Sequence, residues 1–393
     1  MLSCWEYKRK SSYGMMPNSL KFSLSLEAEF FYQQGLRHNK AEKYEAALAS
    51  LDKALLCAPN YADAWSQRGL ALGSLNRHED AIASFDRALA LRPDACWVWH
   101  NRGIAQGKLG RHEQALNSFD RALEFNPSAS TIWHNRGITL IDSGCYEKAI
   151  INFEKTIELR PDAYWAWYNK GTALGQLKRY EEAINCFDRA IEFDPNAVLA
   201  WNNRGITLSD WGIYEKAVLS FDRALEIEPK YAKAWYNRGV ALRKLGRDQA
   251  AIASFDKAIE AQPHDFWAWY NRAIALVDLG RKEEAIASYN KAITIQPQDI
   301  SAWYNQGMTL YELCRYQEAI ASYTKALELQ PSTPVFWYNI ACCYALQRQV
   351  EEAINTLQQA IQLNPEKYRA LAVNSPDFDL LRQDERFRAL IAE

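Results

Sequence analysis

Ten prolines stand 34 residues apart without a slip: Pro59, Pro93, Pro127, Pro161, Pro195, Pro229, Pro263, Pro297, Pro331 and Pro365. Tryptophan keeps the same beat at Trp65, Trp99, Trp133, Trp167, Trp201, Trp235, Trp269, Trp303 and Trp337, with Phe31 in the equivalent first place. A fixed period of this length means one small unit copied many times, each burying its apolar face against its neighbours. The unit Ala232–Asp265 shows what is copied. Trp235, Gly239, Leu242 and Leu245 recur at helical spacing, and Gly246 interrupts them. Ala251, Phe255 and Ala258 mark a second helix, which Pro263 ends because proline disfavours a helical conformation in the residue before it. Gly239, Ala251 and Ala258 let the helix backbones approach closely, and Trp235 and Phe255 fill the space beside them.

The resulting pattern, W-x3-G-x2-L followed by A-x3-F-x2-A-x4-P, resembles the tetratricopeptide repeat, and it recurs over ten units from Ala28 to Lys367. The predicted units are 28–61, 62–95, 96–129, 130–163, 164–197, 198–231, 232–265, 266–299, 300–333 and 334–367. The resemblance implies an all-α fold, a right-handed superhelical solenoid of helix-turn-helix units. First helices would line its concave face and second helices its convex face. The wording W-Y-N-R-G and A-I-A-S-F-D-K-A is similar to bacterial arrays, cyanobacterial ones especially. Residues 1–27 read as a tail and lead-in. Residues 368–393 are amphipathic and read as the polar cap that the end of a solenoid needs.

A length of 393 residues would ordinarily suggest two or three domains, but the unbroken repeat argues for one array. Lys and Arg number 46 against 48 Asp and Glu, so the chain lacks the basic excess that phosphate binding requires; nucleic acid is not an expected partner. No apolar run reaches the length of a membrane span, so no direct membrane insertion is expected. Lys8, Arg9 and Lys10 are not followed by a signal-peptide core, and Met15 or Met16 offers a second start. Eight cysteines form no C-x-x-C pair and fall mostly where sister units carry small or apolar residues. They read as reduced core thiols of a cytoplasmic protein, and Cys342–Cys343 lacks the His or second pair that would complete a metal site.

The residue three after each Trp is Arg68, Arg102, Arg136, Lys170, Arg204, Arg238 and Arg272, then Gln306 and Ile340. It lies near the packed Trp face, where a cation needs a partner. The residue after each Phe of the second helix is Asp52, Asp86, Asp120, Glu154, Asp188, Asp222 and Asp256, then Asn290 and Thr324. Pairing each acid with the base 16 residues later, in the next unit, matches all seven charges. Acid and base are also lost together. The sequence therefore predicts an inter-repeat ion-pair ladder that sets register.

The other side of each first helix carries the binding information. Two after the Trp stand Asn101, Asn135, Asn169, Asn203, Asn237, Asn271, Asn305 and Asn339; one after stand His100, His134, Tyr168, Asn202, Tyr236, Tyr270, Tyr304 and Tyr338. Trp97, Trp165 and Trp267 lie two before. Asn has no intrinsic reason to recur in mid-helix. A column of carboxamides can match the donor and acceptor of an extended peptide backbone, or it can serve local bonding between helices. The column resembles the asparagine ladder of the eukaryotic protein O-linked N-acetylglucosamine transferase. An apolar and aromatic strip on an otherwise solvated face also points to a binding surface, with the Tyr rings expected to be more open than the Trp rings. The family's carboxylate clamp for chaperone tails needs Lys and Arg where this chain has His, Tyr and Asn, so those tails are not expected ligands. His100 and His134 read as members of the Tyr column rather than metal ligands.

No Gly-rich phosphate loop, nucleophile elbow or metal-ligand cluster is present, and the repeats leave no room for a catalytic domain. The expectation is a non-catalytic scaffold or adaptor without cofactor or metal. It would bind an extended peptide or a partner protein in the groove. The alternative is an assembly factor or regulatory subunit of a multiprotein complex, which can be membrane-associated.

Overall fold

The structure, a computed structural model, describes the backbone of residues 18–392 and the side chains of 25–392. Of the predicted tail and lead-in over residues 1–27, residues 1–17, with Cys4, the basic run and Met15 and Met16, lie outside the described residues. Helices follow one another in antiparallel pairs, and the described residues contain no strand. The pairs fall into two compact units, one ending at Pro195 and one beginning at Asn196. The first unit runs through Asn18–Lys40 with Tyr44–Cys57, Ala62–Ser74 with His78–Leu91, Cys96–Lys108 with His112–Phe125, Ser130–Asp142 with Tyr146–Leu159, and Tyr164–Gln176 with Tyr180–Phe193. The second runs through Val198–Asp210 with Tyr214–Ile227, Ala232–Lys244 with Asp248–Ala261, Phe266–Asp278 with Lys282–Ile295, Ile300–Glu312 with Tyr316–Leu329, and Pro334–Leu346 with Val350–Leu363. The opening helix begins at Asn18, upstream of the predicted boundary at Ala28.

Three contacts explain why the period is held so strictly. The Trp indole N–H reaches back to the carbonyl of the proline six residues earlier: Trp65 to Pro59 at 2.8 Å, Trp167 to Pro161 at 3.0 Å, Trp235 to Pro229 at 2.8 Å and Trp303 to Pro297 at 2.9 Å. This ties the turn between repeats to the helix that follows it. Within a repeat, the glycine four after the Trp admits the aromatic ring of the second helix. A Cβ on Gly239 would stand 2.6 Å from Phe255, and one on Gly69 would stand 2.5 Å from Phe85. No side chain fits there without movement. The turn between the two helices of each repeat needs a left-handed residue. Gly246 supplies it at φ +69°, whereas Lys178 and Cys314 hold the same position at +59° and +57°.

The C-terminal segment caps the second unit. It forms a helix over Pro365–Asn374, a 3-10 helix over Pro376–Leu381 and a last helix over Glu385–Ala392. Phe378 and Phe387 are fully buried and stack at 5.6 Å, with Tyr338 edge-on to Phe378 at 5.9 Å. Tyr311 donates its hydroxyl to Asp377 Oδ2 at 2.8 Å. The segment thus covers the last first helix, Pro334–Leu346, and reaches the one before it.

Candidate protein-binding face

The face begins with what holds first helices to their neighbours. In the first unit Arg68, Arg102 and Arg136 place Nε at 2.7, 2.7 and 2.8 Å from Asp52, Asp86 and Asp120, and Lys170 Nζ lies 2.8 Å from Glu154. In the second unit Arg238 and Arg272 each lie 2.6 Å from Asp222 and Asp256. Asp188 and Arg204 have one member in each unit. The bases are the buried partners, with side chains 19–24% exposed. Sequence reasoning missed a third member. The residue before each second-helix Phe accepts from the same guanidinium: Ser84 from Arg68 at 2.8 Å, Ser118 from Arg102 at 2.8 Å, Ser254 from Arg238 at 2.7 Å and Ser288 from Arg272 at 2.6 Å. One arginine therefore joins the second helix of the preceding repeat to the second helix of its own. The signal was present as a recurring serine, but serine is too ordinary on a helix to stand out.

The Asn column does not stand free. Asn135 Nδ2 lies 2.8 Å from His100 Nε2, Asn237 Nδ2 donates to Asn202 Oδ1 at 3.2 Å, and Asn271 and Asn305 donate to the hydroxyls of Tyr236 and Tyr270 at 3.3 and 2.7 Å. In these four the carboxamide N–H thus meets the preceding repeat's residue one after the Trp. Asn101 and Asn271 also donate to the carbonyls of Trp97 and Trp267, at 2.7 and 3.0 Å, which fixes which side of the amide carries hydrogen. Asn339 Nδ2 faces Met308 Sδ at 3.7 Å, and Asn203 accepts from Asn202 at 3.2 Å. Asn169 is half-buried. The oxygens of Asn101, Asn135, Asn237, Asn271 and Asn305 accept no hydrogen bond from the described residues. The amide N–H serves the array and the amide oxygen is left for water or a ligand.

The ring columns reverse the expected order of exposure. His100, His134, Tyr168, Tyr236, Tyr270 and Tyr304 all lie against the aromatic ring of their own second helix, with centroids 5.6–6.1 Å apart. Burial raises the phenol pKa of Tyr236 and Tyr270 and lowers that of the His100 imidazole. The same cause lowers His134 to about 4. Trp97 and Trp267 are the open rings, 37% and 53% exposed. Trp165 is partly covered by its edge-on contact with His134 at 4.1 Å. The His and Tyr rings are held down by the second-helix ring beneath them, a Phe in repeats three, four, five and seven and a Tyr in repeats eight and nine. The Trp two before has no such partner.

Among the described residues no group of three or more His, Cys, Asp or Glu could hold a metal ion, and no helix is long and apolar enough to cross a membrane. Burial raises the Cys342 thiol pKa and takes that of Cys343 up to about 12, so neither is a ready thiolate.

Comparison with known proteins agrees with this architecture. Solved structures of a tetratricopeptide repeat protein from Parabacteroides merdae and of the C-terminal part of one from Cytophaga hutchinsonii each superpose with a TM-score of 0.50. They are 20% and 18% identical and cover 63% and 60% of this chain and 98% and 96% of their own. YrrB, a tetratricopeptide protein described as having an unusual peptide-binding site, is 28% identical over 47% of this chain and 95% of its own, with a TM-score of 0.40. No curated protein matches the chain. Family models for the tetratricopeptide repeat match residues 60–128, 100–164, 164–197, 186–218 and 210–246, then 232–265, 266–299, 300–333 and 334–367. With the helix pairs recurring along that stretch, the chain belongs to the tetratricopeptide repeat family.

Proposed function

We propose that the chain is a non-catalytic adaptor that holds an extended peptide segment of a partner protein along its first helices. The family is one of protein-interaction scaffolds and is in general non-catalytic. The observation that carries the reading is the division of labour in the Asn column. The N–H groups of Asn135, Asn237, Asn271 and Asn305 are spent on the preceding repeat and that of Asn101 on the Trp97 carbonyl, while the oxygens of Asn101 and Asn135 in the first unit, and of Asn237, Asn271 and Asn305 in the second, accept no hydrogen bond from the described residues. A row of acceptors suits the N–H groups of an extended backbone whatever its side chains. Trp97 and Trp267 add open ring surface beside that row, where rigid aromatic area contributes most to recognition.

Photo-cross-linking tests the reading. A benzophenone residue in place of Trp267 should trap a partner from native lysate. The same probe at Leu219, exposed on a second helix at 64%, should not. Trapping at Leu219 alone would move the function to the second helices.

A further inference from the structure

Two repeats lack the ring that their sisters carry one after the Trp, repeat two at Ser66 and repeat six at Asn202, and a cavity lies at the first. In repeats three, seven and eight, the residue one after the Trp touches two groups. His100 meets Phe119 and Asn135; Tyr236 meets Phe255 and Asn271; Tyr270 meets Tyr289 and Asn305. In repeat two the same position is Ser66, whose hydroxyl turns back to the Ala62 carbonyl at 2.9 Å. The two groups that would have met a ring there, Phe85 and Asn101, instead line an open cavity of about 310 Å3, together with Gly69, Gly73, Ile104 and Lys108. This volume sits at the lower end of small ligand pockets, roughly 300–1,000 Å3. Gly73 has nothing within 4 Å of where a Cβ would stand. The same column holds Gly107 in repeat three and Gly175 in repeat five, but Ile141 in repeat four and Val277 in repeat eight, so the array can carry a larger side chain at this position. Asn101, without a neighbouring ring, sends its N–H to the Trp97 carbonyl and keeps its oxygen unused.

We infer that this cavity, between the first helices of repeats two and three, receives a tyrosine side chain from a partner's peptide segment. The ring takes the place against Phe85 that Tyr236 takes against Phe255. The phenol hydroxyl donates to Asn101 Oδ1. Tyrosine fits better than leucine or phenylalanine because the array itself carries Tyr at the equivalent position in six repeats, and two of those hydroxyls accept from the next asparagine. The inference rests on the reading that partners lie along the first helices, and it names one of the side chains they present.

The test titrates N-acetyl-tyrosine amide, N-acetyl-phenylalanine amide and N-acetyl-leucine amide into the full-length protein, reading the Asn101 side-chain amide and the Gly73 backbone amide by NMR. The tyrosine amide should move both signals saturably and bind about fivefold tighter than the phenylalanine amide, as one added net hydrogen bond would give. Two variants close the cavity with residues the array already uses at those positions, Ser66→Tyr and Gly73→Ile. Both should abolish the shifts, while Ser66→Ala should keep them. No saturable shift in the wild type, or unchanged binding in both closed variants, would overturn the pocket. Equal binding of the tyrosine and leucine amides would overturn the choice of tyrosine. Either failure leaves cross-linking at Trp267 intact. Loss of that cross-link with tyrosine binding preserved would instead count against the adaptor reading.

Discussion

Gln306 Nε2 donates to Asn290 Oδ1 across 2.7 Å, in the place where the preceding repeat sets Arg272 Nε 2.6 Å from Asp256 Oδ1. Ser322 completes the likeness by donating to Gln306 Oε1 at 3.0 Å, where Ser288 accepts from Arg272. The charge is gone and the contact is kept. What is maintained from repeat to repeat is a bridge from one second helix to the next through a first helix, and an amide pair makes it as well as an ion pair does.

Charging only one side of that neutral bridge should therefore destabilise the protein. Gln306→Arg alone places a largely buried cation opposite an amide, at an expected loss of about 1–2 kcal/mol. Gln306→Arg with Asn290→Asp should return to within about 0.5 kcal/mol of wild type. Urea unfolding of the two single variants and the double variant measures the coupling. Losses that simply add would show that the pair does not interact.

The Gly–Phe contact sets a steric limit with a built-in remedy. Gly239→Ala brings a methyl group to 2.6 Å from Phe255 and should cost about 1–2 kcal/mol. Repeat eight houses Ala273 opposite Tyr289, so the spacing can open by this much and the cost stays modest. Repeat ten pairs Ala341 with Leu357. Phe255→Leu should accordingly recover part of the loss, leaving the double variant less destabilised than the sum of the singles, as thermal denaturation would report.

Lys178 offers an improvement. It carries a side chain at φ +59° in a turn position where five repeats use glycine. The left-handed conformation costs a substituted residue about 1–2 kcal/mol, and glycine returns part of that gain through a freer unfolded chain. Lys178→Gly should stabilise the protein by about 0.5–1 kcal/mol, seen as a raised urea midpoint with unchanged slope.

His134 makes stability depend on pH in a definite direction. Burial holds its pKa at about 4 in the folded chain, against 6.5 for the free imidazole. The unfolded chain therefore takes up the proton first, and stability falls as pH drops from 6.5 and levels off near 4. The loss should be on the order of 2–3 kcal/mol. His134→Tyr, the residue that Tyr168 supplies one repeat later, should remove this component. Urea midpoints at pH 7 and pH 5 for both proteins would show a smaller drop in the variant; an equal drop would place the titration elsewhere.

The helix pairs were legible because the Pro, Trp, Gly and Phe columns each have a single steric or bonding task that few other residues can perform. The pairing of Arg with Asp was legible for a different reason: both members disappear in the same repeats. The serine that shares each arginine was not legible, because its task can be done by many residues and asparagine does it at Asn152. The exposure of the rings was misjudged. Tyr236 is covered because it lies against Phe255, which sits against Gly239, and spacing along one helix carries no information about that. Nor could composition show that Asn135, Asn237, Asn271 and Asn305 each donate to the preceding repeat, since that depends on which side chain that repeat presents.

An array of this kind lengthens by copying its own unit. A copy inserted inside the run would meet the same proline carbonyl, indole and glycine on both sides. A copy appended after Leu363 would have to displace Phe378 and Phe387, which are buried, and break the bond from Tyr311 to Asp377. The final segment therefore acts as a terminator. It covers the face of Pro334–Leu346 on which a further repeat would stack.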